Sequence, residues 1–272
     1  MKNISCRAIC FFALFSLVCL VLLPLRSWAT NQPEPTTQTT HAPQTHLRVG
    51  MPQPGVVPFF WQDKQGQFRG IYADTLRLIA QRLQLELEFI PLSQARLLRQ
   101  FEAGEIDLEA GVVPDTSGMG ASASRLRQAS LFSQPFGIVN EVIIYRPELS
   151  FPVFILRDLK GKRVATVRGT QVPNTLIRED FANQWQIAQR VHRGWNEIGL
   201  MTEAVALYYQ RSQNLEYQIS LPYASNPVSF RLHRNQKQWL PKLNQVIAQL
   251  EQEGKLEQLV CKYLCGTGPI TQ

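Results

Sequence analysis

Hydrophobic and polar residues between positions 47 and 108 alternate with the period of strands and then of helices. The pattern predicts strands over 47–50, 70–74 and 85–90, helices after 74 and over 94–102, and then a segment from Gly104 to Leu108. The first helix has apolar residues at the 3.6-residue period, at Leu76, Ile79, Ala80 and Leu83. Such alternation is typical of βαβ units, so we predict an α/β protein with a mainly parallel sheet.

The alternation continues into the second half of the chain. Strands are predicted over 140–145 and 163–167. A late helix follows, with one apolar face formed by Trp239, Leu243, Val246, Ile247 and Leu250. This helix is predicted to end at Gly254 and to be followed by a short closing helix.

Loops at one edge of the predicted sheet carry the first candidate binding residues. Ligands of open α/β sheets bind beyond the carboxyl ends of the strands, where successive loops converge. The loops in question contain Phe59, Trp61, Gly111 and Arg125. We therefore expect these four residues to face one cleft.

The first 29 residues have the pattern of a secretory signal peptide. Lys2 and Arg7 precede an apolar run over about 9–25, which closes at Ser27-Trp28-Ala29 with small residues three and one before a cut. Cleavage after Ala29 is predicted, followed by a flexible leader over 30–45. An uncleaved membrane anchor is the alternative, because the run approaches the length of a transmembrane span.

Composition and charge narrow the class of partner. The chain has 272 residues, of which 44% are hydrophobic, enough for one large domain or two small lobes. Without the three basic residues of the signal peptide, 25 basic and 21 acidic residues leave a net charge of +4. No basic cluster interleaved with aromatic residues stands out, which argues against nucleic acid as a partner. The mild positive excess favours an anionic or zwitterionic ligand.

Two cysteines remain after removal of the signal peptide, Cys261 and Cys265. An even pair in an oxidising compartment suggests a small disulfide that closes the end of the last helix. Two free thiols are the alternative. A metal site would need more ligands, and His233 is the only histidine in the last quarter of the chain.

A series of short motifs resembles the periplasmic solute-binding proteins of the family that serves polar amino-acid ABC transporters. No single motif is sufficient for this resemblance, which rests on the order and spacing of all the motifs together. They span nearly the whole mature chain: Pro58-Phe59, Gly70-x3-Asp74, Gly104-x2-Asp107, Arg125 or Arg127, Phe132-Ser133-Gln134-Pro135-Phe136, Lys160-Gly161-Lys162-Arg163-Val164, Gly169-Thr170, and Leu250-x3-Gly254-x-Leu256 to Lys262-Tyr263.

The resemblance implies a type II periplasmic-binding-protein fold. Each of two lobes would be a mainly parallel sheet flanked by helices, with the lobes closing on a ligand about a hinge of two crossings. The expected boundaries are a signal peptide over 1–29, a leader over 30–45, lobe 1 over 46–138, lobe 2 over 139–222, a return segment of lobe 1 over 223–265, and a tail over 266–272.

The sequence departs from the family pattern in both lobes. Lobe 2 is predicted to be reduced, because too few residues separate a strand expected after Gln186 from the segment 199–203 for the usual helix and turn. Lobe 1 carries an insertion over 114–124 that is rich in Gly, Ser and Ala. We expect this insertion to be a mobile loop at the mouth of the cleft.

The resemblance assigns a ligand carboxylate to an arginine upstream of the Phe132 motif. A guanidinium matches two carboxylate oxygens. Arg125 lies seven residues before Phe132 and Arg127 five, whereas the family spacing lies between. Arg125 is the first choice and Arg127 the second, and both could instead be solvated loop charges.

Two residues of lobe 2 complete the expected site. Gly169-Thr170 precedes a predicted helix with Pro173 in its first turn, so Thr170 and free amides would bind the same carboxylate, or Thr170 would only cap that helix. Glu203 falls where the family places an aspartate that accepts the ligand's ammonium, since a buried cation without a partner is costly. Glu203 could instead be a helix N-terminal charge stabilised by the dipole.

Residues of lobe 1 would cover the ligand. Phe59 is expected to cover its side chain, whereas Phe60 and Trp61 more often serve as core or lid. Gly111 would leave backbone groups accessible for an ammonium or carboxylate. Tyr72 stands where the family often has Asp, which weakens selectivity for basic amino acids.

The predicted function is a non-enzymatic, periplasmic binding protein of an ABC transporter. It would be a monomer that captures a small polar solute, an amino acid or a similar compound, and delivers it to an inner-membrane ABC permease without a cofactor. The sequence has no Ser-His-Asp, Cys-His or HExxH constellation. The alternatives are a dehydratase-like enzyme that uses Glu203 as acid or base, and a sensor or degenerate binding module.

Overall fold

The computed structural model describes residues 46–114, 121–149 and 153–265, with the backbone alone at 121–123. The predicted signal peptide, leader and tail lie outside these ranges. Across the described residues, no helix combines the length and the apolar character needed to span a bilayer.

The strands are β1 (His46–Gln53), β2 (Trp61–Gln62), β3 (Phe68–Arg69), β4 (Glu86–Ser93), β5 (Leu108–Val112), β6 (Ser130–Phe132), β7 (Gly137–Tyr145), β8 (Arg163–Val167), β9 (Ile177–Phe181), β10 (Ile198–Thr202), β11 (Gln218–Ile219) and β12 (Ala224–His233). The helices are α1 (Ile71–Leu83), α2 (Gln94–Glu102), α3 (Ala121–Ala129), α4 (Gln184–His192), α5 (Glu203–Gln213), α6 (Leu240–Gln252) and α7 (Lys255–Leu264). Short 3-10 turns lie at Leu156–Leu159 and Arg234–Trp239.

Strand β12 joins two halves of one mixed sheet. The strand order is β4-β1-β5-β12-β7-β10-β8-β9, with β6 added beside β12 and β11 beside β7. The first part of β12 pairs antiparallel with β7, from Ala224 opposite Glu141 to Val228 opposite Gly137. Its later part pairs with β5 and β6. Strand β12 therefore changes its pairing partners along its length, and this change joins the two halves of the sheet.

Each half of the sheet has its own hydrophobic cores. In the first half, α1, α6 and α7 cover a cluster that includes Val49, Leu76, Phe230 and Ile247. In the second half, α4 and α5 cover a cluster that includes Val142, Ile144, Ile187, Val205 and Ala206. Helices thus flank each half, as expected from the sequence, and the residue boundaries of the two lobes stay a prediction.

Several elements have the predicted bounds. Helix α2 spans 94–102 and strand β8 spans 163–167, as the sequence pattern indicated. Helix α6 is followed at Gly254, which has a φ of 65°, by the closing helix α7. A left-handed residue at this place favours glycine, since it lacks a Cβ.

The strand predicted over 70–74 is wrong, because α1 begins at Ile71. Gly70 has a φ of 112°, and a Cβ there would overlap the carbonyl of Phe59. The next amides donate to the preceding loop, Ile71 N to Pro58 O at 2.9 Å and Tyr72 N to Phe59 O at 2.8 Å. Ile71, Tyr72 and Ala73 are all buried, so this apolar run resembles a buried strand.

The helix predicted after Gly169-Thr170 is also wrong. Residues 168–176 connect β8 to β9 without a helix, and β9 pairs parallel to β8 from Ile177 opposite Arg163 onward. Helix α4 occupies 184–192, where a strand was expected after Gln186. The strand expected after Gln186 is therefore wrong as well, and the reduction of this half relative to the family stays a prediction.

The predicted insertion over 114–124 ends in helix rather than loop. Residues 121–124 form the first turn of α3, and 115–120 lie outside the described residues.

The carboxylate of Asp107 anchors the start of β5 to β1. Its oxygens accept bonds from the backbone N and the guanidinium of Arg48, at 2.9–3.0 Å, and from Gln236 Nε2 at 2.9 Å. Burial alone raises the pKa of Asp107, but the bonds from Arg48 and Gln236 hold that pKa below its usual value. This interaction supports a structural role for Asp107.

We predict that Asp107→Asn lowers the free energy of unfolding by about 2–3 kcal/mol, since it leaves buried donors facing an amide. A depressed folded-state pKa contributes stability that is present above about pH 4 and is lost as the pH falls through the folded-state pKa. The difference between wild type and variant should therefore shrink in acid. Urea denaturation of both proteins at several pH values measures this difference in the free energy of unfolding.

The exposed pair Arg82–Glu253, at 2.6 Å, provides the control. Glu253→Gln should change the stability little, because solvent screens the pair. Equal effects of the two variants would contradict the anchoring role of Asp107.

Helix α7 is held to α1 by a group of polar contacts and carries the cysteine pair. Tyr263 Oη donates to Asp74 Oδ2 at 2.6 Å and accepts from Gly70 N at 3.2 Å. The sulfurs of Cys261 and Cys265 are joined across the last turn of α7, with Cα atoms 4.6 Å apart.

We predict that replacing both cysteines with serine lowers the free energy of unfolding by at most about 2 kcal/mol, because the closed loop is very short. Thiol labelling of the native protein without reductant should modify neither cysteine. Labelling of both would establish two free thiols instead.

Candidate ligand-binding site

A cavity of about 230 Å³ lies where elements of both halves of the sheet meet. Its walls come from the loop before α1, from α1, α5 and α7, and from the starting residues of β7. Most of the lining is apolar: Phe59, Ile71, Tyr72, Phe136, Ile138, Val139, Ala204, Leu207, Val228, Leu256, Val260 and Leu264. Its volume is below the roughly 300–1,000 Å³ of pockets for drug-sized ligands, so it suits a smaller compound.

Glu203 supplies the charged side chain of this lining. It is the first residue of α5, where the helix dipole favours a negative charge. Its Oε2 accepts a bond from Asn140 Nδ2 at 2.7 Å, and Asn140 Oδ1 accepts from Ser225 Oγ at 2.8 Å. These two hydrogen bonds link Ser225 of β12 through Asn140 of β7 to Glu203 of α5, and they orient the Glu203 carboxylate.

Two stacked rings form the side of the cavity that belongs to the first half. Phe59 and Tyr72 have ring centroids 4.9 Å apart and planes inclined by 25°. Phe136 meets the Tyr72 ring edge-on at 5.5 Å and stacks on Phe230 at 4.1 Å. Burial raises the pKa of the Tyr72 hydroxyl, so this side chain is neutral at physiological pH.

Phe59 lies between the two halves. It packs against the core of the first half and against the core under α4 and α5. Phe59 and Glu203, both predicted as binding residues, line the same cavity.

Trp61 lies outside the lining of the cavity. Its ring is 6.2 Å from that of Tyr208 in α5 and 5.7 Å, edge-on, from that of Tyr263 in α7. These contacts place the Trp61 ring between two helices, and its expected contact with a ligand stays a prediction.

Gly111 also lies outside the lining, beneath the Tyr72 ring. Its φ is 73°, and a Cβ at this position would overlap the ring atoms of Tyr72. Glycine is required here for its backbone angle and for the approach of the ring. The expected contact between Gly111 and a ligand stays a prediction.

The two candidate arginines lie on α3, away from the cavity. Arg125 has a side chain that is 64% exposed, with Nε 3.6 Å from Glu102 Oε2. Arg127 is exposed on the same helix. Neither lines the cavity, so their expected role at a ligand carboxylate stays a prediction.

Thr170 is exposed in the loop between β8 and β9. Its amide donates to Val167 O at 3.0 Å, and its carbonyl accepts from Arg178 Nη1 at 2.9 Å. The helix N-terminus that suggested an anion site is absent, because the chain passes directly into β9. The Thr170 amide is thus already bonded, and the expected contact between Thr170 and a ligand carboxylate stays a prediction.

A buried arginine that the sequence reasoning missed is already paired. Arg231 of β12 and Glu109 of β5 form a buried ion pair, with the Arg231 guanidinium 4.8 Å from the Phe101 ring centroid. Burial raises the pKa of Glu109, and the nearby Arg231 opposes that rise. Neither residue lines the cavity.

The sequence reasoning also missed Asn140, Leu207 and the three α7 residues of the lining. Asn140 belongs to a predicted strand, and its polar side chain in an apolar stretch was the available signal. The α7 residues form an ordinary apolar face, which carries no sign of a cavity.

The sequence profile of the bacterial extracellular solute-binding proteins, family 3, matches residues 47–266. A probable amino-acid ABC transporter-binding protein of Haemophilus influenzae is 23% identical over 215 residues, which are 74% of this chain and 78% of that relative.

Two solved structures share the fold. A putative ABC transporter binding component from Wolinella succinogenes, complexed with lysine, has a TM-score of 0.67 at 19% identity, covering 82% of this chain and 97% of that chain. An ancestral amino acid-binding protein, described as a precursor of cyclohexadienyl dehydratase, has a TM-score of 0.63 at 21% identity, covering 81% and 95%.

These likenesses place the fold among the type II periplasmic binding proteins, which confirms the predicted fold class. The chain belongs to the bacterial extracellular solute-binding proteins, family 3.

The placement of Tyr72 over Gly111 gives a prediction for Gly111→Ala. Gly66 has a similar φ of 76°, but no atom lies within 4 Å of where its Cβ would be, so Gly66→Ala is a matched control. Both variants should lose about 1–2 kcal/mol from the left-handed backbone angle. Gly111→Ala should lose more in denaturant titrations, because it also displaces the ring.

The excess loss of Gly111→Ala should largely disappear when Tyr72 is also replaced by alanine, since these residues couple by contact. Equal losses in the two glycine variants would contradict the ring placement.

Proposed function

We propose that the protein is the periplasmic substrate-binding component of an ABC transporter. It captures a small polar solute with an ammonium group, such as an amino acid, and delivers it to an inner-membrane permease as a monomer, without chemical change. The main support for this proposal is the cavity, which is lined by Glu203 of α5 and by the aromatic rings of Phe59 and Tyr72.

The chemistry of the cavity supports binding of an ammonium group. Glu203 Oε2 already accepts one bond from Asn140, and a carboxylate has further acceptor sites on both oxygens. An ammonium placed against it would form a charge-assisted hydrogen bond, which is stronger than a neutral one. The rings of Phe59 and Tyr72 add surface that attracts cations.

The sheet topology supports capture by hinge closure. Strands β7 and β12 pair antiparallel at the junction of the two halves, with Asn140 opposite Ser225. Hinges of this kind place the change of backbone angles in a few residues. Because Phe59 contacts both cores, relative motion of the halves would open or close the cavity.

Secretion through a cleaved signal peptide places the protein in the periplasm in this proposal. The relative from Haemophilus influenzae bears the name of an amino-acid ABC transporter-binding protein. That name supports the transport role and the permease partner.

A dehydratase-like enzyme is the second candidate. One structure with this fold is described as a precursor of cyclohexadienyl dehydratase. Glu203 would then act as acid or base in a proton transfer.

We predict that Glu203→Gln weakens binding of an amino acid by about 2–3 kcal/mol, or roughly thirty- to 140-fold, because it removes the partner of the ammonium. Binding of the matching des-amino acids should not weaken. Calorimetry with a panel of amino acids measures both effects.

Glu257→Gln is the matched control. Glu257 is an exposed acid in the first turn of α7, outside this cavity, so the variant makes the same charge change at another helix start. Equal effects of both variants would exclude a specific role for Glu203. A steady heat that Glu203→Gln abolishes would indicate turnover and favour the enzyme, and absence of any amino-acid binding would leave a sensor or degenerate module.

A further inference from the structure

Among the described residues, the lining of the cavity offers a carboxylate to hold an ammonium and no cation to hold a carboxylate. Among the described residues that line it, no lysine, arginine or histidine is present. Its remaining polar side chains are those of Tyr72, Asn140 and Thr75, and Thr75 Oγ1 donates to Ile71 O at 2.7 Å. The lining is therefore apolar, with one negative charge.

Arg125 and Arg231 of the first half lie against carboxylates outside the cavity. Arg125 lies near Glu102 on the exposed side of α3, and Arg231 is buried against Glu109. In the second half, Arg178 lies 2.7 Å from Asp180. A ligand carboxylate in the cavity would face Glu203, and like charges at close range raise the cost of binding.

The cavity wall formed by α7 determines which apolar group of a ligand fits. Leu256, Val260 and Leu264 line the cavity together with Leu207 of α5, and Val260 is 39% exposed. An aromatic or branched aliphatic group would fill this space, because removing apolar surface from water is favourable. Phe59 and Tyr72 close the opposite side.

We infer that the cavity selects small primary amines with an apolar body and no carboxylate, in preference to the amino acids with the same body. The inference rests on the proposed function and names its ligand class. The ammonium binds Glu203 beside Asn140, and the body lies between Leu207 and the α7 wall.

Two matched sets of ligands test this selectivity by calorimetry on the full mature protein. One contains phenethylamine, phenylalanine and 3-phenylpropionate, and the other contains 3-methylbutylamine, leucine and 4-methylpentanoate. At least one amine should bind about tenfold or more tightly than its amino acid, since it lacks the repelled carboxylate, and the acid should bind weakest. Glu203→Gln should weaken the amine, whereas Glu257→Gln should not.

A positive charge added at Val260, an exposed residue of the lining, provides a second test. Val260→Lys places an ammonium at the edge of the cavity, so it should narrow the preference for phenethylamine over phenylalanine. Val260→Met is the uncharged match and should keep the preference. Far-ultraviolet circular dichroism establishes that both variants fold.

The outcomes separate the inference from the proposed function. Amino acids that bind as tightly as the amines, or a loss of phenylalanine binding in Arg125→Ala, would overturn the inference and leave the transport role intact. A protein that binds none of these compounds, nor any amino acid, would overturn both.

Discussion

The close approach of Gly70 to the carbonyl of Phe59 is the constraint on which most of the cavity depends. With no Cβ at Gly70, the amides of Ile71 and Tyr72 reach Pro58 O and Phe59 O. These bonds place the Phe59 ring on the Tyr72 ring. The Gly70 amide also donates to Tyr263 Oη, which holds α7 beside α1. One backbone contact thus positions the loop, the start of α1 and the α7 wall.

The remaining wall depends on the junction between the halves of the sheet. Strands β7 and β12 are the elements that cross it, and Asn140 lies on β7 opposite Ser225. Because Asn140 bonds both Ser225 and Glu203, the carboxylate of α5 is tied to the crossing strands. Under the proposed hinge closure, a ligand on Glu203 would act on the residues about which the halves would move. Binding and closure would therefore be coupled through a short chain of hydrogen bonds.

The sequence predicted the fold well where local periodicity was strong, as in the bounds of α2 and β8. The predictions over 70–74 and after Thr170 failed because tertiary contacts decided both, through Phe59 in the first case and the parallel pairing of β9 in the second. The candidate site was harder to predict, because its residues meet only in three dimensions. Phe59, predicted from its loop at the sheet edge, and Glu203, predicted from the resemblance, both line the cavity, whereas the α7 residues have no local signal of such a role. Arg125 and Thr170 lie outside this cavity, so their binding roles stay predictions. A shared fold does not by itself fix the side chains around a ligand.

Tyr72 gives a single physical reason for the position of the cavity. It stands where the resemblance leads one to expect aspartate, and its ring covers Gly111 while lining the cavity. The ring therefore separates Gly111 of β5, which the sequence assigned to ligand binding, from the space beside Glu203. That space extends instead toward Leu256 and Val260 of α7. A large neutral ring in place of a small acid would thus displace the cavity toward apolar surface and leave Glu203 as the charge that a ligand must match.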